Sequence, residues 1–407
     1  MNLGTNTKDI IKISKIFNDH NYEFFLVGGA LRDLLLKKIP NDFDFTTNAT
    51  PEEIMQLFPN NMKTGIKHGT ISIIFNKNIF EVTTYRIDID YKNKRSPKKV
   101  KFTKNLNDDL QRRDFTINSI AMNTLNGKII DCYNGRQDLN KKRIKCIGEP
   151  NQRFEEDALR ILRAARFAST LNFTIEKNTL TSMKYKKENI LFLSKERINN
   201  ELIKLLEGKN PINGINYLQK VNFFNYFFNI KINKKSKNQI NALNRDKFYL
   251  KAIVIFTIKQ DISCLKENLK LLRFSNKDIK LILFYKTVVN EINTLRIKKL
   301  HDIRIMLSKA TRESYKEILD IYKALKGKDK KLKFILNKIK SKKLLNDPLS
   351  LKELKINGND IKNIQLTDNK KIGQILNYLL REVLINPKLN KKEILIKKIK
   401  DQYLKYF

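Results

Sequence analysis

Up to about residue 148 the chain alternates short β-rich runs with turn signals. Apolar or β-branched stretches at 24–27, 43–46, 70–75, 79–83 and 128–132 are separated by Gly, Asn, Asp and Pro. This part is expected to mix strands with helices. From Phe154 onward the apolar residues recur at helical spacing, as at Ala158, Leu159, Ile161, Leu162 and Ala165, and again at Ile198, Leu202, Leu205 and Leu206. The rest is expected to be all-helical. The pattern therefore predicts an α+β fold: a head with a small mixed sheet over 1–148, then helical segments over 149–207, 208–326 and 327–407. Gly and Pro at 208–211 close one helix and mark a boundary, and Gly327 marks another. No internal repeat of fixed period supports a solenoid.

Composition narrows the class. With 407 residues, 41% apolar and 9% aromatic, the chain can bury real cores and spans several domains. No apolar run approaches the roughly 18 residues of a membrane span, so no membrane partner is expected. Residues 1–6 lack a basic and an apolar leader region, which points to the cytoplasm. Cys132, Cys146 and Cys264 are scattered and never form a C-x-x-C pair, so they read as packing residues rather than zinc ligands or disulfides. The formal charge of +40 invites a polyanion such as nucleic acid, although enrichment in Lys, Asn and Ile also fits codon bias. The excess is uneven: +11 for residues 1–207 and +29 for 208–407.

The chemistry concentrates in the head. The strand 24–27 runs into Gly28-Gly29 and then into a helical stretch from Ala30. Two glycines let backbone N–H groups approach a phosphate, a helix start adds partial positive charge, and Arg32 can hold a further oxygen. Asp42-Phe43-Asp44 puts two carboxylates on one face of an expected strand and the aromatic ring on the other. Such like charges repel unless a cation sits between them, and oxygen-only ligands suit Mg²⁺ bound jointly with substrate phosphates. A solvated acidic edge is the plain alternative. Glu81, flanked by apolar residues, either completes the metal set or pairs with an arginine. Arg112-Arg113-Asp114 through Asn118 joins two guanidinium groups, a carboxylate and an amide at an expected helix start. It suits either triphosphate and ribose contacts or a salt-bridged cap.

Together these residues resemble the class II tRNA nucleotidyltransferases, the CCA-adding enzymes, whose sister group is bacterial poly(A) polymerase. Residues 28–33 with Asp42 and Asp44 are similar to the first motif of that family, and 112–118 to the second, with Ser119 where Ala is usual. Residues 156–167, from Glu156 to Phe167, resemble the motif that selects the incoming base, and Glu196-Arg197-Ile198 the helix that braces it. The resemblance implies a polymerase-beta-like nucleotidyltransferase head followed by a helical neck, body and tail. It also implies CTP and ATP as donors, tRNA as partner and Mg²⁺ on Asp42 and Asp44, beside which Glu81, from its own strand, is the candidate third catalytic carboxylate. Nucleotide contacts would come from Gly29, Arg32, Arg113, Asp157, Arg160, Arg163 and Arg166. On a continuous helix three residues advance about 300°, so Asp157 and Arg160 would share a face. A carboxylate and a guanidinium there can read the Watson–Crick edges of cytosine and adenine. A row of solvated ion pairs is the alternative.

Other features sort the relatives. The polar segment 85–102 resembles the flexible loop of enzymes that add the terminal A, which disfavours CC-only activity and leaves A-only addition open. Lys67-His68-Gly69-Thr70-Ile71 resembles the CCA-adding version of its strand rather than that of the poly(A) polymerases, which implies tRNA over poly(A) tailing. A catalytically inactive RNA-binding protein is the rival from another class. His301-Asp302 does not make a phosphohydrolase site, because only His20 and His68 remain as further histidines. The run 329–343 interleaves lysines with Phe334, Ile335, Leu336 and Ile339, as in an amphipathic helix that lies along phosphates or faces solvent. Residues 354–361 place an Asn-Gly turn before a new helix, similar to the family's tail.

Overall fold

The computed structural model describes residues 7–40, 42–89, 99–294, 299–309, 314–327, 346–364 and 371–403, with isolated residues 330, 338 and 344. These form two compact units, one of residues 1–231 with 271–273, the other of 232–270 with 274–407.

The first unit opens with helix α1 (Thr7–Asp19), strand β1 (Phe24–Val27) and helix α2 (Gly28–Leu35). Strand β2 (Asp44–Thr47), helix α3 (Pro51–Leu57) and strands β3 (Asn61–Gly65), β4 (Thr70–Phe75) and β5 (Asn78–Thr84) follow. Next come the hairpin β6 (Arg86–Ile89) and β7 (Lys99–Phe102), helix α4 (Leu106–Gln111), strands β8 (Ala121–Asn123) and β9 (Ile129–Ile130), and helix α5 (Gly135–Asn140). The main sheet has the order β3-β4-β5-β2-β1-β8-β9. All four residues of β1 are buried, as a central strand covered on both faces requires. Phe17, Phe24 and Phe45 stack at successive centroid distances of 4.6 Å on one side of the sheet. On this rigid wedge the register is decisive. Val27 pairs with Asp44 across an antiparallel step, and Asp44 pairs with Glu81 across a parallel one.

The α+β architecture expected from the pattern is the one observed. Strands 24–27 and 70–75 fall where expected, whereas β3 and β8 carry no alternation that marks them as strands. The run 128–132 shrinks to the two residues of β9. Asp42 lies in a bend before β2 rather than on it. Arg112 follows the end of α4 instead of starting a helix, and cations there complement the negative end of the helix dipole. Cys146 packs in the core, but Cys132 is exposed, so not all three cysteines are packing residues.

Strands β10 (Arg143–Ile144) and β11 (Thr174–Ile175) form a parallel pair around helices α6 (Pro150–Glu156) and α7 (Leu159–Leu171). Helices α8 (Lys177–Tyr185), α9 (Lys195–Leu206), α10 (Pro211–Lys220) and α11 (Phe223–Phe228) complete the unit. The expected unbroken helix from Phe154 is interrupted. Asp157 adopts extended angles (φ −142°, ψ 103°) and its side chain accepts a hydrogen bond from the Leu159 N–H at 3.0 Å. The carboxylate serves the helix start that follows it, at the cost of continuity.

The second unit is helical where described, with helices such as Phe248–Phe256, Asn276–Thr294 and Tyr315–Lys326. Lys251 is fully buried there and pairs with Asp320 at 2.6 Å. Leu354, Ile356, Ile361, Ile375, Leu379, Val383, Leu395 and Ile399 form a separate apolar cluster near its end. His301 lies on the helix Leu300–Lys309 with its Nε2 3.3 Å from Asp302. The basic run 329–343 lies, apart from Lys330 and Lys338, outside the described residues. No helix among the described residues is long and apolar enough to cross a membrane.

Candidate active site

The edge where β1 meets α2 opens onto a cavity of about 740 Å³. Gly28 makes the corner in the left-handed region (φ +69°). A Cβ on it would come within 3.4 Å of the Arg113 guanidinium and 3.5 Å of Asp44 Oδ2, so the turn also depends on the missing side chain. Gly29, Arg32, Asp44, Arg113, Asp157, Arg160, Arg163 and Arg166 all line this cavity. Asp42 and Glu81 do not line it. Register nevertheless sets Glu81 beside Asp44 on the same face, where it is exposed and paired with no arginine among the described residues. Among the described residues nine cationic side chains line the cavity against five carboxylates.

Asp44 keeps contact with solvent, yet the protein around it raises its carboxyl. Desolvation is the main cause, Asp42 adds repulsion, and Arg113 works in the opposite direction. A cation between the two aspartates would relieve that repulsion, and the donors are all carboxylate oxygens, so the pair fits Mg²⁺. Among the described residues no three His, Cys, Asp or Glu side chains form a metal cage. Remaining ligands would have to be phosphate oxygens or water.

A polar network carries the arginines. Arg32 Nη1 donates to Asn118 Oδ1 at 2.8 Å, the Asn118 amide donates to Asp114 at 2.9 Å, and Asp114 pairs with Arg163 at 2.6 Å. Burial alone would raise the Asp114 carboxyl, but Arg163, the Asn118 amide and the Phe115 N–H hold it down at about 2. Asp109, fully buried at the end of α4, pairs with Arg112 at 2.6 Å and Arg113 at 2.9 Å, which outweighs its desolvation and lowers its pKa. Asp109 is inconspicuous in the sequence; its signal is the i, i+3 and i, i+4 spacing to the two arginines.

Asp157 and Arg160, expected to share a face of one continuous helix, are placed differently. The helix breaks after Glu156, and Asp157, with extended angles, is joined to Arg160 by a turn in which the Arg160 N–H donates to the Asp157 carbonyl at 3.1 Å. Asp157 is held by Arg197 of α9 at 2.8 Å, the bracing role expected of that helix. Arg160 donates to Glu156 at 2.7 Å and to the Arg112 carbonyl at 2.9 Å. The hairpin β6–β7 brings Arg86 and Asp88 to the cavity, while residues 90–98 of the loop lie outside the described residues.

An acidic strand end, a glycine corner and an arginine-lined cavity define a nucleotidyltransferase. Residues 24–145 match the family described as Poly A polymerase head domain, and 172–231 the one described as Probable RNA and SrmB-binding site of polymerase A. The CCA-adding enzyme of Staphylococcus haemolyticus is 36% identical over 393 residues, 95% of this chain and 94% of that protein. That of Staphylococcus aureus is 40% identical over 281 residues, 69% of this chain and 68% of that one. Among solved structures, the Bacillus stearothermophilus CCA-adding enzyme in complex with CTP superimposes with a TM-score of 0.79 at 25% identity, covering 99% of this chain and 100% of that chain. The chain belongs to the class II CCA-adding enzymes and is a tRNA nucleotidyltransferase.

Proposed function

We propose that this enzyme adds C, C and A in turn to the 3′ end of tRNA without a nucleic-acid template, using CTP and ATP and releasing pyrophosphate. The observation that carries this reading is the cavity itself, where the Asp44 edge, the Gly28-Gly29 corner and the phosphate-binding arginines adjoin Asp157 and Arg160. Relatives named as CCA-adding enzymes, and solved structures of such enzymes with CTP or ATP, support it.

Asp42 and Asp44 would hold Mg²⁺, which when bound polarises the α-phosphate and the attacking hydroxyl. The protein's own part is alignment. Backbone N–H groups at Gly28 and Gly29 approach the phosphates, and Arg32, Arg113, Arg163 and Arg166 neutralise the triphosphate charge so that the leaving group departs in line. Glu81 adds negative potential beside Asp44. Asp157 accepts from the exocyclic amino group of either base, while Arg160 donates to a ring nitrogen or carbonyl once released from Glu156.

The test uses tRNA transcripts ending at the discriminator base, incubated with Mg²⁺, CTP and ATP, with the 3′ ends then sequenced. Full CCA ends are expected. Products stopping at CC, A-only extension of CC-ended tRNA, or long A tails would each replace this reading with the matching relative's activity. Asp44→Ala is expected to lower turnover at least about a thousandfold while tRNA affinity stays within about threefold, because the carboxylate serves the reacting phosphate rather than the RNA. An active Asp44→Ala enzyme would remove the proposed role of that carboxylate.

A further inference from the structure

Three guanidinium groups of the cavity gather round one aromatic ring. The Cζ atoms of Arg166, Arg32 and Arg163 lie 4.2, 5.2 and 5.3 Å from the centre of Phe167. The ring is 5% exposed and lies edge-to-face with Phe115, centroids 5.8 Å apart and planes at 87°, so the core beneath fixes its tilt. Arg163, Arg166 and Phe167 are on α7, whereas Arg32 comes from α2.

Three like charges so close repel one another. Arg166 records this: burial first, with Arg163 and Arg32 adding, pushes its pKa down to about 10 despite the nearby Glu201 carboxylate. Its own anchor is imperfect. Arg166 Nε lies 3.1 Å from Glu201 Oε2, yet both atoms are buried without a properly directed hydrogen bond. Across the cavity Arg32 pairs with Asp33 at 2.9 Å and donates to a neutral amide, Asn118, at 2.8 Å. Each cation thus has a carboxylate of its own, Asp114 for Arg163 at 2.6 Å, and what the three share is the negative face of the ring, which attracts a guanidinium over it and does so more strongly away from water.

On the reading of this cavity as the triphosphate site, we propose that Phe167 is a positioning residue whose π face holds Arg32, Arg163 and Arg166 in the arrangement that receives the phosphates. The ring touches no reacting atom. It acts by keeping the arginines gathered before the nucleotide arrives, so that binding does not have to reassemble them. The effect concerns phosphate rather than base, so CTP and ATP are affected by the same factor.

The test replaces Phe167, in the full-length enzyme, by phenylalanines bearing one, two or three ring fluorines, which keep the shape while draining the negative face stepwise. Affinity for inorganic triphosphate is measured by equilibrium titration, and KM and kcat are measured for CTP and ATP. Affinity is expected to weaken with each fluorine, reaching about tenfold at three, with KM following for both nucleotides and kcat within about twofold. Phe167→Tyr, which retains a π face, is expected to stay within about threefold of the parent. A flat series overturns the proposal and leaves Phe167 a packing residue. If the parent enzyme transfers no nucleotide, the active-site reading fails by itself, and triphosphate affinity across the series still decides the role of the ring.

Discussion

Asp114 illustrates how much one buried carboxylate organises. It links Arg163 to Asn118, and through that amide to Arg32, so three separate stretches of chain share one network. Its pKa, about 2 against an ordinary value of 3.8, makes the network a source of stability. The folded form binds its proton less readily than the unfolded form. The contribution is therefore fully present above about pH 4 and is lost as the pH falls toward 2. Asp114→Asn is expected to cost about 2 kcal/mol at pH 7 in denaturant titrations, and the deficit should shrink at pH 3. An equal deficit at both pH values would contradict this account. At this scale the sequence was informative about residue types, since the glycine corner, the acidic pair and the arginines are all local motifs. It is silent on Asp109, whose role depends on burial, and on the helix break at Asp157, where a side-chain cap competes with helix continuity.

The elements owe their precision to a few close approaches. Gly135, the first residue of α5, sits so near the turn Thr116–Asn118 that a Cβ would lie 2.2 Å from the Thr116 carbonyl oxygen and 2.7 Å from Ile120 Cγ1. Gly135→Ala must push that turn aside, and with it Asn118. A loss of about 1–3 kcal/mol in stability is expected, together with a raised KM for both nucleotides, measurable by thermal melts and steady-state kinetics. The junction of α6 and α7 makes a second prediction. Since Arg197 rather than helical phase fixes Asp157, Arg197→Ala should degrade the choice between CTP, ATP and the wrong nucleotides, read by sequencing misincorporated 3′ ends, while leaving inorganic triphosphate affinity within about twofold. Periodicity revealed the buried strand β1 and the amphipathic α9, which follow simple patterns. It could not reveal β3, whose residues are partly or fully exposed along an edge of the sheet.

Over the whole molecule, charge is divided unevenly. Residues 208–407 carry +29 of the +40, while the part bearing the carboxylates carries +11. Replacing exposed lysines of the second part, such as Lys388 and Lys391, by glutamine should reduce the slope of log Kd for tRNA against log salt by about 0.7–0.9 for each phosphate no longer neutralised, without altering KM for CTP. An unchanged slope across several such substitutions would move the RNA-binding surface to the first part. Composition made this asymmetry legible at once, but which lysines face RNA depends on tertiary placement.

The imbalance of nine cations against five carboxylates in the cavity has a thermodynamic corollary. A polyanion bound there would remove repulsion that the folded chain otherwise bears, so on the proposed reading fold stability is linked to triphosphate concentration. At a ligand concentration a hundred times its Kd, that linkage is worth about 2.7 kcal/mol. If the proposed reaction holds, the same electrostatics would make released pyrophosphate a competitor for these arginines, and the enzyme would slow as pyrophosphate accumulates.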